Sequence, residues 1–512
     1  MASPFAISRS QIILAVCLPL GVLVGYFLAN AEDLGSIVAL TLVLGVLSVP
    51  ILMKWYHPLL VVGWNAAIQP IFIPGRPALW MVIAFFGFLF AALNRSTHAE
   101  AKFIDVRSIR TPLLLLFGVV ITTAWLRGGL GVRSLGSGTY GGRSYYYIIA
   151  AILGYLALTS RRIPRHRAAT AVGLFFLTGV TALIPNLAHL GGPALDFVYY
   201  VFAPVFSFEQ GSSAGGLDNQ IVRMNGLSVV CWALSAWALS RRGYRGLFSL
   251  NDPLGLLALG LSLAASLFCG FRSMFIFVVL LLVAQFYFEG LMRGKTLVMA
   301  VGVMILGLAM ALPFTERLPH VVQRTISFLP IDVSHVARDT AEASSEWRLN
   351  MWQEVLPLIP DHLLLGRGYS VDPTELHFTT ENAQRGFAKP WNWAILTSSF
   401  HNGPLSLIIP LGIWGVAAFA WFVAATLRYM LWAARQGDPD LRSANTTILA
   451  LFVARLVLFA FVFGNLPTDL YIFAGLAGLS VSLNGPRHMR TPIETGEKAS
   501  FNDEQKLAAR RG

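Results

Sequence analysis

The sequence is poor in charge, in cysteine and in any grouping of residues that would hold a metal. Only 12% of its 512 residues are charged, against about 25% in an ordinary soluble protein. A soluble chain of this length would need a charged surface, and the residues to build one are missing. Disorder is excluded by the same arithmetic, because 55% of the chain is hydrophobic and disordered chains are poor in apolar residues. The three cysteines, Cys17, Cys231 and Cys269, each lie within an apolar run. That placement excludes a disulfide framework, and no Cys/His spacing suits a metal site. Internal repeats, low-complexity tracts and the short alternating strands of a membrane β-barrel are also absent.

Long apolar runs are what the chain does have. They cover 11–29, 36–53, 58–74, 78–93, 112–126, 144–160, 168–190, 225–240, 253–270, 272–288, 296–314, 402–427, 445–464 and 468–485. Runs of this length suit helices that cross a bilayer. The fold expected is all-α, a polytopic transmembrane helix bundle of about 12–14 spans. Arg9 ahead of the first run resembles the start of a signal peptide, but no small-residue cleavage site follows, so the run reads as a first span. Asn65, Gln69 and Pro70 interrupt the third run, and the apolar stretch 193–207 is short. Whether either fully spans is left open.

In a soluble protein the net charge of +12 would suggest nucleic acid. Here Lys and Arg collect in the loops 94–111, 161–167, 241–245, 293–295 and 428–442 and in the tail. Basic residues are retained on the cytoplasmic side, so both termini are expected there and no nucleic-acid partner is implied. The expected organisation is a bundle over 1–485, an extracytoplasmic loop over 315–400 inserted between spans, and a disordered cytoplasmic tail over 486–512. Within the loop, Trp347, Met351, Trp352, Val355, Leu356 and Ile359 recur at helical spacing, with Pro357 and Pro360 as stop signals. The Trp stripe suits either the membrane interface or packing against the bundle. Gly366, Arg367 and Gly368 make a turn.

Charged residues that the topology makes costly are the candidates for chemistry. Arg272 sits in a hairpin with almost no loop, on the side opposite the basic anchors. Arg223 precedes the span that opens at Asn225, and His401 precedes the one that opens at Asn402. Arg338, Arg348 and Arg367 lie in the long loop. A guanidinium fork pairs well with phosphate oxygens, and a histidine can act as general base near neutral pH. The plain alternatives are an interfacial snorkel for Arg272, a solvated loop role for Arg223, an interfacial histidine for His401, and solvated or ion-paired loop arginines with Glu346 and Glu354 as partners. Arg455 falls in mid-span, where a charge requires a partner or a wet cavity. Asp469 is the best partner, and a structural ion pair the preferred reading.

His401-Asn402, nine residues, Gly412, two residues and Gly415 fit the pattern H-[N/S/Q]-x9-G-x-x-[G/T/Y]. In this the chain resembles the O-antigen ligase family. The hairpin at Arg272 resembles that family's short arginine hairpin, with Phe271 where the family usually has Ser. WRLNMWQEVLPLIPDHLLLGRGYS resembles its loop segment, with Leu363 in place of a Pro. VRMNG, holding Arg223 and Gly226, resembles its upstream R-x-x-G. The likeness covers about 220–420.

The resemblance implies a glycosyltransferase at the periplasmic face of the bacterial inner membrane. Its donor would be a glycan on undecaprenyl diphosphate, and its acceptor a glycan or lipid hydroxyl such as lipid A-core. A polymerase branch that joins repeat units is the alternative, and a transporter or flippase is the alternative of another class. His401 would be catalytic. Arg223, Arg272 and Arg348 would bind the diphosphate, with Asn402, Gly412, Gly415 and Arg367 in support. No metal and no cofactor are implied.

Overall fold

A computed structural model of the chain describes residues 34–71, 75–97, 103–131, 141–203, 206–209, 221–248 and 252–486, with a few isolated positions besides. The expected first span and the expected disordered tail lie outside the described residues, apart from scattered positions in the former. The described chain is overwhelmingly helical: α1 Leu34–Gly63, α2 Leu79–Thr97, α3 Arg107–Arg127, α4 Gly142–Leu158, α5 Arg165–Leu177, α6 Leu183–Gly191, α7 Asn225–Phe248, α8 Pro253–Phe268, α9 Arg272–Phe288 and α10 Lys295–Ala311. The long loop holds α11 His320–Ile326, α12 His335–Val355, α13 Ile359–His362, α14 Pro373–Gln384 and α15 Asn392–Leu396. Three further helices close the chain: α16 Gly403–Gln436, α17 Arg442–Val457 and α18 Leu466–Asn484. The sheet is one antiparallel pair, β1 Phe206–Glu209 with β2 Ile221–Met224, in which Ser207 faces Arg223.

This is an all-α polytopic bundle, as the apolar runs predict. Among the described residues, six helices are long and apolar enough to cross a membrane: Leu79–Thr97, Arg107–Arg127, Arg165–Gly191, Gly403–Gln436, Pro439–Val462 and Leu466–Asn484. Shorter apolar helices add Leu47–Gly63, Pro253–Phe268, Arg272–Phe288 and Lys295–Gly307. The two doubtful segments resolve together. Helix α1 runs on through Pro50 and Pro58 and stops at Gly63, so 58–74 is helical only in its first part. Beyond it the backbone of Gln69 and Ile71 donates to the carbonyls of Val201 and Tyr200 (2.8 and 3.1 Å). Pro193–Tyr200 is a 3-10 helix of eight residues, too short to cross. Each segment supplies the hydrogen-bond partners the other lacks, which is how irregular backbone is tolerated inside a membrane protein.

Small residues set the helix spacing. A Cβ on Gly154 of α4 would lie 2.5 Å from the Trp64 ring, and one on Gly475 of α18 would lie 2.1 Å from its Nε1. Two absent side chains thus make the slot that buries Trp64, which is only 1% exposed, and draw α4 against α18. Close approach through small residues, rather than a hydrophobic force, brings helices together in lipid.

The two ends of the bundle differ. At one end the basic loops meet: Ile104 N–H donates to Thr159 O (2.9 Å), Ile163 N–H to Ser482 O (2.9 Å), Ser443 Oγ to Leu239 O (3.0 Å), and Arg165 pairs with Asp438 (2.9 Å). At the other end lies the long segment between α10 and α16. Helix α12 begins at His335, earlier than its apolar stripe, with Ser334 Oγ accepting from Ala337 N–H, and gives way at Val355 to a short 3-10 turn that contains Pro357. Its stripe packs on the bundle rather than lying free. Met351 and Val355 are buried with Phe400, Leu405 and Ile409, and Trp352 Nε1 donates to Phe400 O (2.8 Å).

Candidate active site

The site stands at the end that carries the long segment, where several helices begin or break. His401 is the last residue but one before α16. Its backbone is left-handed, with φ 52°, a conformation that costs a non-glycine residue free energy and persists only where its surroundings enforce it. Those surroundings are plain. Asn402 caps α16, its Oδ1 accepting from Leu405 N–H at 3.0 Å. The imidazole is held between Trp347 of α12 (centroids 5.2 Å apart) and Phe463 (4.9 Å). Burial, then the positive charges of Arg348 and Arg223, push the His401 pKa down to about 4. The ring is therefore neutral at physiological pH, with a lone pair to accept a proton.

Ten residues after Asn402, the motif glycine Gly412 breaks α16, with φ 66° and ψ −168°. The break frees backbone groups, and the turn after α13 takes them up. Ile413 N–H donates to Leu363 O (2.7 Å), while Arg367 N–H and Gly368 N–H donate to Ile409 O (2.7 Å) and Pro410 O (2.9 Å). A Cβ on Gly412 would lie 2.8 Å from the carbonyl oxygens of Leu363 and Leu364, and one on Gly366 would lie 2.2 Å from Pro410 O. The spacing H-N-x9-G thus marks a cap and a dock. Gly415 is buried one turn further along α16.

The arginines arrive from three directions. Arg223 lies on β2, whose end is tied to the α8–α9 turn by Met224 N–H donating to Cys269 O (3.1 Å). Gly226 lets the start of α7 press on the turn before α6, since a Cβ there would lie 1.9 Å from Ala182 O. Arg272 is the first residue of α9, and its Nη2 donates to Ala341 O (2.7 Å) and Ser345 Oγ (3.2 Å) of α12. Arg348, also on α12, lies over the Phe463 ring at 5.9 Å, and Arg223 over the Phe271 ring at 5.5 Å.

Two adjoining cavities result. The larger, about 1010 Å³, is lined by Arg223, Glu346, Arg348, Asn350 and His401, and further in by Arg455 with Trp232, Phe277 and Leu476. The smaller, about 200 Å³, is lined by Arg223, Arg272, Arg324 and Arg348 with Ser273, Ser344 and Ser345. Arg223 and Arg348 belong to both. Arg272 and His401, expected to meet, line different cavities that share those two arginines. Arg367 lines neither; it pairs with Glu375 (3.0 Å) and contributes through its backbone. Arg338 is likewise elsewhere, donating to Ile331 O (3.1 Å). Arg455 is ion-paired with Asp469, the partner expected for it. Among the described residues, no group of three or more His, Cys, Asp or Glu is placed to hold a metal ion.

Arg324 was not foreseen. It is 2% exposed, and its Nη1 donates to Gly270 O at 3.2 Å. Nothing in its local sequence marks it, because its neighbours in the cavity come from β2, α9 and α12.

Residues 254–420 match the O-antigen ligase family model. The match takes in Arg272, Arg324, Arg348, His401, Gly412 and Gly415 and stops short of Arg223 and Arg455. No curated protein matches the chain significantly. The O-antigen ligase likeness read from motif spacing is thus independently supported, in a multi-pass membrane protein. This family supports membrane glycosyltransferase activity of the ligase or polymerase type, acting on a lipid-linked glycan donor and a glycan or lipid acceptor.

Proposed function

We propose that the protein transfers a glycan from undecaprenyl diphosphate to an acceptor hydroxyl, on lipid A-core or a similar glycan, at the periplasmic face of the inner membrane. The observation that carries this reading is that Arg223 and Arg348 line both the arginine-walled cavity and the His401 cavity. The diphosphate would occupy the smaller cavity among Arg223, Arg272 and Arg348, with the sugar's anomeric carbon in the larger one. The isoprenoid tail would lie between helices. The 315–400 segment would face the periplasm and the basic loops the cytoplasm, in accord with the retention of basic residues inside.

The chemistry is a single displacement. The acceptor oxygen bonds to the anomeric carbon and the bond from that carbon to the diphosphate oxygen breaks, its electron pair leaving with the phosphate. The acceptor proton passes to a ring nitrogen of His401. The leaving group gains negative charge, and guanidinium groups already in place offset it without reorganising, so no metal is needed for that step. The anomeric configuration inverts. Bound diphosphate also counters the two guanidinium fields that depress His401, so the ring becomes a stronger base once the donor is present.

The test is transfer from purified lipid-linked glycan by the purified protein. His401→Ala should fold and insert normally and lose roughly 10²–10⁴-fold in rate; full activity in that variant would refute the assignment. Product length separates the two branches. Long glycan left on carrier lipid when the protein is inactive marks a ligase, and single-repeat products mark a polymerase. The H-N-x9-G-x-x-G spacing favours the ligase.

A further inference from the structure

A third cavity lies away from the transfer site and shares no lining residue with it. It measures about 610 Å³ and runs between α2 and α4. Its walls are Met81, Val82, Phe85 and Phe86 from α2, and Ile149 and Leu153 from α4. At its mouth stand Arg76 and Arg143, and among the described residues no acidic side chain lines it. The mouth is at the end of the bundle that carries the long segment, because Tyr369 N–H donates to Tyr145 Oη (3.0 Å), two residues along α4 from Arg143.

Arg76 is fixed at its backbone and Arg143 at its side chain. Arg76 has a left-handed backbone, φ 47°, and Gln69 Nε2 donates to its carbonyl at 2.6 Å. Backbone strain in a non-glycine residue is a feature of sites that the surrounding fold over-determines. Arg143 lies over the Tyr147 ring at 5.5 Å, and its Nη2 donates to Tyr147 Oη at 3.3 Å. A stacked guanidinium keeps its outer edge free to pair with phosphate oxygens and has less rotamer entropy to lose on binding. Below it Phe85 and Phe86 are 55% and 48% exposed. The arrangement is amphipathic along the bundle axis: two cations at one end, then hydrocarbon.

We propose that this groove is a binding site for an anionic phospholipid of the surrounding bilayer. Its phosphate would sit between Arg76 and Arg143 and an acyl chain along Val82, Phe86 and Leu153. Charge complementarity selects the class: a zwitterionic headgroup brings its own cation against two guanidinium groups, and a neutral lipid offers them nothing. The wall between this groove and the transfer cavity is a row of rings. Tyr147 packs on Trp80 (5.6 Å), and Trp80 stacks on Tyr471 of the larger cavity at 4.9 Å. A lipid here therefore supports the wall of the transfer site without entering it.

The experiment uses full-length protein in nanodiscs of phosphatidylcholine, with or without phosphatidylglycerol, read by native mass spectrometry and by Tm. Wild type should retain phosphatidylglycerol over phosphatidylcholine by about 5-fold for each arginine engaged. It should also show a higher Tm in the anionic discs. Arg76→Gln with Arg143→Gln should abolish the preference, Arg143→Lys should keep most of it, and Val82→Trp should block retention of either lipid. Undiminished preference in the double glutamine variant would overturn the site. So would inorganic phosphate raising the Tm of wild type as far as phosphatidylglycerol does, since a headgroup alone would then account for the binding. Should the double variant fail to fold, loss of preference on Val82→Trp alone decides for the groove, and its survival decides against.

Discussion

His401 is made by its surroundings. A free imidazole titrates near 6.5, whereas burial and two guanidinium groups hold this one down to about 4. The sign of two effects follows. Between pH 6.5 and 4 the unfolded chain takes up a proton that the folded ring refuses, so this residue's contribution lowers stability as the pH falls through that window. In catalysis, the acid limb of kcat/KM should lie near pH 4 for the free enzyme. Arg348→Gln removes one of the opposing charges, so it should move that limb to higher pH while lowering the rate roughly 10²-fold through the lost phosphate contact. A pH–rate profile of wild type beside the variant checks both; an unmoved limb would show that the charge of Arg348 does not reach the base.

At the level of elements, the site depends on two helices that are interrupted at fixed places. Gly412 interrupts α16 so that the turn at Gly366–Gly368 can dock on it. Gly412→Ala should cost about 1–3 kcal/mol, from a left-handed residue and a Cβ set 2.8 Å from two carbonyl oxygens, and should show as a lower Tm. The second interruption follows α17, where the π-helical turn Leu458–Val462 leads to Phe463, the ring that contacts both His401 and Arg348. The Arg455–Asp469 pair braces that corner, with Asp469 fully buried and Arg455 half-buried at the cavity wall, and Asp469 also accepts from Asn465 N–H at 2.7 Å. Breaking one partner of a buried pair strands the other, at about 3–5 kcal/mol, whereas replacing both with apolar residues is often neutral. Asp469→Leu should therefore destabilise more than Asp469→Leu combined with Arg455→Met. Thermal denaturation in detergent measures the order, and additive losses would refute the pairing.

For the whole molecule, the sorting of charge between the two ends is the prediction of orientation. A membrane-impermeant maleimide should label Asn382→Cys in intact spheroplasts and Arg167→Cys only after permeabilisation. Both positions are exposed, at opposite ends of the bundle. Cys231 and Cys269 are buried and contribute little background, and Cys17 is replaced by Ser in both variants. The reverse pattern would invert the assignment of the transfer site to the periplasm.

Hydropathy and its pattern settled the fold class: a chain 55% hydrophobic and 12% charged must satisfy its backbone in lipid as helices or as a closed barrel, and long apolar runs without short alternating strands leave helices. Spacing within one stretch settled the His401-to-Gly415 motif and the Arg272 hairpin, because a helix cap, a helix break and a tight turn are local events with local residue signatures. The partner of Arg455 was legible for a similar reason, lying just beyond the next helix start. What the chain order could not decide was convergence. Arg324 joins Arg223, Arg272 and Arg348 only because β2, α9, α11 and α12 meet around the Gly270 turn. The ring pair that traps His401 comes from α12 and from the end of the π-helical turn. The mutual pairing of 69–71 with 200–201 and the slot for Trp64 between Gly154 and Gly475 belong to the same class. Each depends on contacts between segments far apart in sequence, and such contacts are set by the packing of whole helices, which no local window of residues records.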